Sequence, residues 1–247
     1  MTHRDSKKII LFDVDGTLTE SRKKIKDDMI EILYKLSKKY TIGIVGGSDL
    51  KKQKEQLGDT INIFNYIFSE NGTVAFKDGS CFHRMSVIDY LGDEKYQTLV
   101  NYCLRYLSNI TLPVKRGNFI ELRNAIVNVS PIGRSCSQEE RDEFFNYDEK
   151  NQIRKKFAEK MDHDLKDLGL KYSLGGQISI DIFPIGWDKT YCLQHLKDEK
   201  FDEIYFFGDR TQKGGNDYEI FMSPKTISYS VKKPEDTINY INSLFLE

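Results

Sequence analysis

The chain has no apolar run long enough to cross a bilayer, no internal repeat and no low-complexity stretch. Neither sign of charge is in excess: 37 Lys and Arg face 38 Asp and Glu, a formal net charge of -1. No global field therefore draws the protein to nucleic acid or anionic lipid. The basic residues are scattered and no groove-binding motif is present, so neither nucleic acid nor membrane is expected as a partner. Cysteine is sparse. Cys81, Cys103, Cys136 and Cys192 are widely spaced and form no Cys-x-x-Cys pair, which argues against a zinc site. Cys103 and Cys192 fall in apolar helical patterns and read as small core residues. Residues 1–8 are polar and lack the apolar centre of a signal peptide. A reduced, cytoplasmic setting is the expectation.

What is present suffices for a sizeable core. With 247 residues, 39% hydrophobic and 30% charged, the chain can form one large domain or a core with an insert. The first third alternates a strand over 8–13, a helix over 27–38 with Met29, Ile32, Leu33 and Leu36 on one face, and strands over 40–45 and 66–69. Asn71-Gly72 reads as a hairpin turn into Val74-Ala75-Phe76. This alternation predicts an α/β fold with a doubly wound parallel sheet. The middle differs. It predicts a helix over 93–107, a strand over 119–129, a charged, turn-rich stretch to Tyr147, a helix over 150–168 and a strand opened by Gly175-Gly176. That order suits an α+β insert. A short helix from Lys189 and a strand over 202–208 resume the first style. The expected organisation is a core of 1–85 and 188–247 with an α+β cap over 86–187, hinged near 84–87 and 184–189.

The most telling segment is Ile9-Ile10-Leu11-Phe12-Asp13-Val14-Asp15-Gly16-Thr17-Leu18-Thr19. Residues i and i+2 of an extended chain share a face, so Asp13 and Asp15 leave a buried strand together. Two such carboxylates repel unless a cation or a proton lies between them. The pair suits Mg²⁺-dependent phosphoryl transfer, with one carboxylate as nucleophile, the other as acid/base, and a hard cation on oxygen ligands. Asp, Gly and Thr are also ordinary turn residues; the apolar strand and the two-residue spacing favour chemistry. Gly46-Gly47-Ser48 would let backbone N–H groups and a hydroxyl reach a phosphate, although a plain glycine turn has the same composition. Asp209 ends a strand, where α/β folds bind ligands. Ile178-Ser179-Ile180-Asp181-Ile182 alternates, so burying the isoleucines aims Ser179 and Asp181 together, a pair suited to sugar hydroxyls. A half-exposed strand with a wet face has the same pattern. Arg116, Arg123, Arg134 and Arg141 share this region, and a guanidinium binds phosphate through a planar fork. Solvation at the surface is the alternative for any one of them.

Asp13-Val14-Asp15-Gly16-Thr17 resembles the first motif, Asp-x-Asp-x-Thr, of the haloacid-dehalogenase superfamily. The resemblance implies that Asp13 is the nucleophile forming an aspartyl phosphate and Asp15 the general acid/base. It places Ser48 in the second motif and Lys189 in the third, where the lysine offsets charge on the aspartyl phosphate and orients Asp13. Mg²⁺ would be held by Asp13, Asp209 and the backbone carbonyl of Asp15, with Asp217 acting directly or through water.

Four strings together resemble the eukaryotic-type phosphomannomutase family over essentially the whole chain. They run over residues 13–22, Asn128-Val129-Ser130-Pro131-Ile132-Gly133-Arg134, Gly175-Gly176-Gln177-Ile178-Ser179-Ile180-Asp181, and Gly208-Asp209-Arg210-Thr211 through Gly215-Asn216-Asp217. This resemblance implies a Rossmann-like core with an inserted cap. Arg22, Arg123, Arg134 and Arg141 would hold the phosphate that is not reacting, and Ser179 and Asp181 the sugar hydroxyls. The substrates implied are mannose 1-phosphate and mannose 6-phosphate, often with the glucose analogues, and a hexose 1,6-bisphosphate serves as intermediate and activator. The product would feed GDP-mannose synthesis, and the protein would dimerise through the cap. A second cation site would fall on Phe221, Ser223 and Thr226; relatives often carry an acidic residue where Ser223 stands. Two rival readings remain on the sequence: a sugar-phosphate phosphatase using the same carboxylates with water, and a non-catalytic binding module on this scaffold.

Overall fold

The computed structural model describes residues 5–246; Met1 to Arg4 of the polar amino-terminal segment, and Glu247, lie outside the described residues. The chain separates into two compact units, one running to Arg84 and resuming at Gly186, the other spanning Met85–Ile185. Met85 thus falls with the second unit, and Gly186 and Trp187 with the first, where the sequence suggests the reverse.

The first unit opens with β1 (Asp5–Phe12), α1 (Asp27–Lys39), β2 (Tyr40–Val45), α2 (Leu50–Leu57), β3 (Tyr66–Ser69), β4 (Val74–Lys77) and β5 (Ser80–Arg84). The second unit carries α3 (Val87–Ser108), β6 (Ile120–Leu122), β7 (Val127–Val129), α4 (Gln138–Asn151), α5 (Ile153–Asp164), β8 (Leu170–Gly175) and β9 (Ser179–Pro184). The chain then returns through a 3-10 helix over Lys189–Leu196 to β10 (Glu203–Gly208), α6 (Tyr218–Phe221), β11 (Ile227–Ser230) and α7 (Pro234–Ile241).

In the first unit the strands order as β11-β10-β1-β2-β3-β4-β5. The first five run parallel, while β4 pairs antiparallel with both β3 and β5. The sheet is therefore mixed rather than wholly parallel. The reason is local: β3, β4 and β5 are joined by short turns, which allow only antiparallel return. Alternation along β1 divides the core. Ile10 and Phe12 pack with Met29, Leu33 and Leu36 of α1 and with Ile241, whereas Ile9 and Leu11 pack with Cys192, Leu193 and Leu196. Helices thus cover both faces, which is why β1 reads as an unbroken apolar run. Each such fully buried side chain contributes about 1.5–3 kcal/mol. Helix α1 buries the stripe Met29, Ile32, Leu33 and Leu36, and carries Asp27 and Asp28 in its first turn and Lys38 and Lys39 in its last, as the helix dipole favours.

Asn71-Gly72 does turn the chain back as a hairpin: β3 and β4 pair antiparallel across residues 70–73, with Ser69 opposite Val74. Glu70–Gly72 is a single 3-10 turn, with Glu70 and Asn71 at φ of 49° and 63°. Its groups reach across to the returning segment: Asn71 Nδ2 donates to the Trp187 carbonyl (3.0 Å), and His195 Nε2 lies 2.9 Å from the Gly72 carbonyl.

The second unit holds an antiparallel sheet in the order β6-β7-β9-β8. Its core joins Leu99, Cys103 and Leu107 of α3 and Phe157 and Met161 of α5 to Val127, Val129, Ile180 and Ile182. Three expectations are corrected. The strand over 119–129 is a hairpin of β6 and β7, turned at residues 123–126. The stretch before Tyr147 contains α4, which buries only Phe144 and Asp148 and so shows no apolar stripe. Its legible signal is the capping box, in which Ser137 Oγ accepts from the Glu140 N–H and Glu140 accepts from the Ser137 N–H. Finally, Gly175 closes β8 rather than opening a strand, and Gly176 to Ile178 form the turn into β9. Among the described residues, no helix is long and apolar enough to cross a membrane.

Candidate active site

The carboxyl end of β1 builds the centre of the site. The Asp13 N–H donates to the Phe207 carbonyl at 2.9 Å, so Asp13 still follows the ladder with β10, and the residue is only 4% exposed. The chain then turns tightly. The Val14 carbonyl accepts from the N–H groups of Leu18 and Thr19, both at 3.0 Å, and the Gly16 N–H donates to the Thr19 carbonyl at 2.7 Å. Gly16 has a φ of 79°, and a Cβ there would lie 2.3 Å from Asp209 Oδ2. Lack of a side chain at Gly16 is thus what admits the Asp209 carboxylate beside this turn.

Lys189 enters from the first turn of its 3-10 helix, whose N-cap Asp188 accepts from the Thr190 N–H at 2.9 Å. The lysine is 1% exposed, and its Nζ donates to both Asp13 Oδ1 and Asp217 Oδ1. The other oxygen of Asp217 accepts from the Arg210 N–H at 3.0 Å. One carboxylate oxygen from each of Asp13, Asp209 and Asp217 lies within 4.8 Å of the others. Three carboxylates against one ammonium leave surplus negative charge in a buried space. Burial pushes the Asp13 carboxyl up to about 7, against the pull of Lys189 and with added repulsion from Asp217 and Asp209. Asp209 is raised by burial and then by Asp217. For Lys189, burial works against the charge, but Asp13 and Asp217 outweigh it and hold the pKa above its ordinary value. An all-oxygen donor set with surplus negative charge fits a hard divalent cation.

Asp15 faces elsewhere. Its Oδ1 accepts from the Arg22 N–H at 2.6 Å and from Gln56 Nε2 at 2.9 Å. Arg22 has a φ of 62°, which turns its backbone N–H toward Asp15. Gly46, Gly47 and Ser48 follow β2 and share with Asp13, Asp15 and Asp209 a cleft of about 220 Å³. The Ser48 carbonyl accepts from the Glu70 N–H, and the Gly46 carbonyl from the Asn71 N–H, at 3.0 and 2.9 Å. The residues that read as a hairpin thus brace this loop on one side and the Lys189 segment on the other. In the loop after α6, Thr226 Oγ1 donates to the Ile220 and Ser223 carbonyls at 2.6 and 3.1 Å. Of the three residues of the expected second cation site, Phe221 ends α6 and Ser223 and Thr226 lie in the loop that follows.

In the second unit, the sheet brings a polar network together. Arg134 donates to Asn128 Oδ1 at 2.8 Å, and Asn128 Nδ2 donates to Asp181 Oδ1 at 2.6 Å, across the β7–β9 register. Arg123 and Arg134 share the Glu121 carboxylate, and Arg141 donates to the Arg134 carbonyl at 3.0 Å. Asp181 also lies against Gly175, where a Cβ would meet its Oδ2 at 2.4 Å. Ser179 is 5% exposed, so of the two residues expected to aim outward from β9 it is the more enclosed. Arg116 sits apart, paired with Glu140. Glu121, Asn128 and Gln56 were not marked as site residues by the sequence. The sequence carries no sign for Gln56; the structure shows α2 burying it together with Gln53 and Leu57.

The model of the eukaryotic phosphomannomutase family matches residues 29–247, starting after the Asp13–Thr19 turn. The Schizosaccharomyces pombe phosphomannomutase is 52% identical over 243 residues, covering 97% of this chain and 95% of the relative. Those of Arabidopsis thaliana and Encephalitozoon cuniculi are each 54% identical, covering 96% and 97% of this chain and 96% and 94% of their own length. Among solved structures, Aspergillus fumigatus trehalose-6-phosphate phosphatase matches with a TM-score of 0.64 at 15% identity, over 98% of this chain and 94% of that one. A haloacid dehalogenase-like hydrolase from Bacteroides thetaiotaomicron matches with a TM-score of 0.62 at 15% identity, over 96% and 99%. The structural likenesses speak to the fold alone, which is that of the haloacid-dehalogenase enzymes with a Rossmann-like core and an inserted cap. Identity above half, sustained over nearly the full length of each relative, goes further: this chain belongs to the eukaryotic phosphomannomutase family.

Proposed function

We propose that the protein is a phosphohexomutase that interconverts mannose 1-phosphate and mannose 6-phosphate, and the glucose analogues, through an aspartyl phosphate on Asp13. The observation that carries this reading is the buried contact of Lys189 with Asp13 beside Asp209 and Asp217. A carboxylate so enclosed is shielded from bulk water and held in one orientation, as a nucleophile requires. Asp13 attacks one phosphoryl group of a hexose 1,6-bisphosphate, the bond from phosphorus to the sugar oxygen breaks, and Asp15 protonates the departing oxygen. Asp15 then takes the proton from O6 of an incoming hexose 1-phosphate as that oxygen attacks the phosphoaspartate; the bond from phosphorus to Asp13 breaks and the bisphosphate is regenerated, to turn over and give up its 1-phosphoryl group. Lys189 offsets the charge on Asp13, while the Ser48 hydroxyl and neighbouring N–H groups orient the transferring group. Mg²⁺, held by Asp13, Asp209, the Asp15 carbonyl and, directly or through water, Asp217, would supply charge shielding of the transferring phosphoryl group when bound.

Arg22, Arg123, Arg134 and Arg141 are proposed to hold the phosphate that is not reacting, with Ser179 and Asp181 on the sugar hydroxyls. Cytoplasmic location, dimerisation through the 86–187 insert and supply of GDP-mannose synthesis belong to the same proposal. ³¹P NMR tests it, with mannose 1-phosphate, Mg²⁺ and a trace of hexose 1,6-bisphosphate. Mannose 6-phosphate is the expected product, and Asp13→Asn should form none. Inorganic phosphate as the main product would identify a phosphatase instead.

A further inference from the structure

We propose that Gln56 is the positioning residue for Asp15, fixing which of its two oxygens carries the travelling proton; the proposal rests on the mutase reading above. Helix α2 buries Leu57 and, on the same side, two glutamines three residues apart, Gln53 and Gln56, where an ordinary amphipathic helix would bury apolar side chains. Gln56 is 5% exposed. Its Nε2 donates to Asp15 Oδ1 at 2.9 Å, and its Oε1 is buried with no hydrogen-bond partner. An unsatisfied buried polar atom costs about 1–3 kcal/mol, so packing alone does not account for an amide here. The shorter of the two bonds its Nε2 makes goes to Asp15; the other reaches Thr19 Oγ1 at 3.5 Å, at the upper limit for a hydrogen bond.

The Arg22 N–H donates to the same oxygen at 2.6 Å. Two donors converging on Oδ1 stabilise negative charge there and lock the carboxylate plane. Oδ2 is left as the oxygen that gives and takes the proton. The Arg22 donor is a backbone group set by the left-handed turn, whereas the Gln56 donor comes from a separate element. Gln56 thus ties the acid/base to α2 and keeps it from rotating as its charge changes.

The role predicts a dependence on the leaving group. When Asp13 attacks a hexose bisphosphate, the sugar oxygen leaves as a poor anion and needs a proton from Asp15. When it attacks acetyl phosphate, the bond from phosphorus to the acetyl oxygen breaks and acetate leaves as a stable anion with no proton required. A well-placed general acid is worth about 10²–10⁴-fold in the first case and little in the second. Gln56→Met retains the chain length without the donor. Gln56→Glu retains the shape and, when ionised, cannot donate. In whichever variant folds, turnover of mannose 1-phosphate primed with hexose 1,6-bisphosphate should fall at least about tenfold, while labelling of the enzyme by ³²P-acetyl phosphate stays within about twofold of wild type. Equal loss with both donors overturns the proposal, since it marks general damage to the site. No loss with either donor overturns it as well. A wild-type protein that neither turns over hexose phosphate nor takes label overturns the mutase reading and this proposal with it.

Discussion

At the scale of the residue, the site depends on one cation. Lys189 Nζ sits between Asp13 and Asp217, all three buried. Removing one partner of a buried pair leaves the other charge uncompensated, at a cost of about 3–5 kcal/mol. Lys189→Met, which matches the chain length, should lower unfolding free energy by about that amount at neutral pH in urea titrations. A loss under about 1 kcal/mol would contradict the assignment of Lys189 as the counter-charge of the cluster. Asp13 and Asp15 were legible in the sequence as two carboxylates closing an apolar run, but not on a shared strand face: β1 ends at Phe12, and the turn sends Asp13 to Lys189 and Asp15 to Arg22 and Gln56. Lys189 was legible only through its place in an ordered set of motifs, since a single lysine carries no pattern. Gln56 was not legible at all, because nothing local distinguishes a working glutamine from one at the surface.

At the scale of the element, the 3-10 helix over Lys189–Leu196 depends on its far end. His195 stacks on Phe68, meets the rings of His83 and Tyr191, and bonds through Nε2 to the Gly72 carbonyl. A carbonyl can only accept, so Nε2 carries the proton of the neutral ring. Charging His195 would then require a proton on Nδ1 in an aromatic setting. Burial pulls its pKa below the ordinary value of 6.5, against the upward pull of the Gly72 carbonyl and with a smaller push from His83, and burial lowers His83 too. A depressed base is stabilising when neutral. The contribution is fully present above pH 6.5, the ordinary value, and is lost as pH falls below it. Wild type should therefore lose more thermal stability than His195→Gln on going from about pH 7.5 to about pH 5.5. Equal losses would sink this account. Asn71-Gly72 was legible as the turn of the β3–β4 hairpin, but not its docking: only the fold sets Asn71 on the Trp187 carbonyl and the Gly72 carbonyl on His195.

At the scale of the molecule, the 85–185 unit is one uninterrupted stretch with its own sheet and a core built from its own residues. A segment that buries a complete core is expected to fold by itself. Expressed alone, residues 85–185 should unfold cooperatively with heat, with mixed helix and strand signals in circular dichroism. A featureless melt would show that the insert depends on the rest of the chain. The sequence showed the insert as a change in the order of elements, yet hid α4, whose face buries only Phe144 and Asp148. It also hid β5, an edge strand exposed along most of its length, because an edge needs no apolar alternation.

Local chemistry alone determined the apolar strand that presents Asp13 and Asp15, the amphipathic helices and the break between core and insert, because each depends on residue spacing within a short window. Tertiary structure decided the rest. It brought Lys189, Asp209 and Asp217 to Asp13, gave Gln56 to Asp15, and joined Asn128, Arg134 and Asp181 across two strands. Apart from Asn128 and Arg134, six residues apart, those partners are far apart along the chain, and only the register of a sheet or the docking of a helix specifies which polar groups meet.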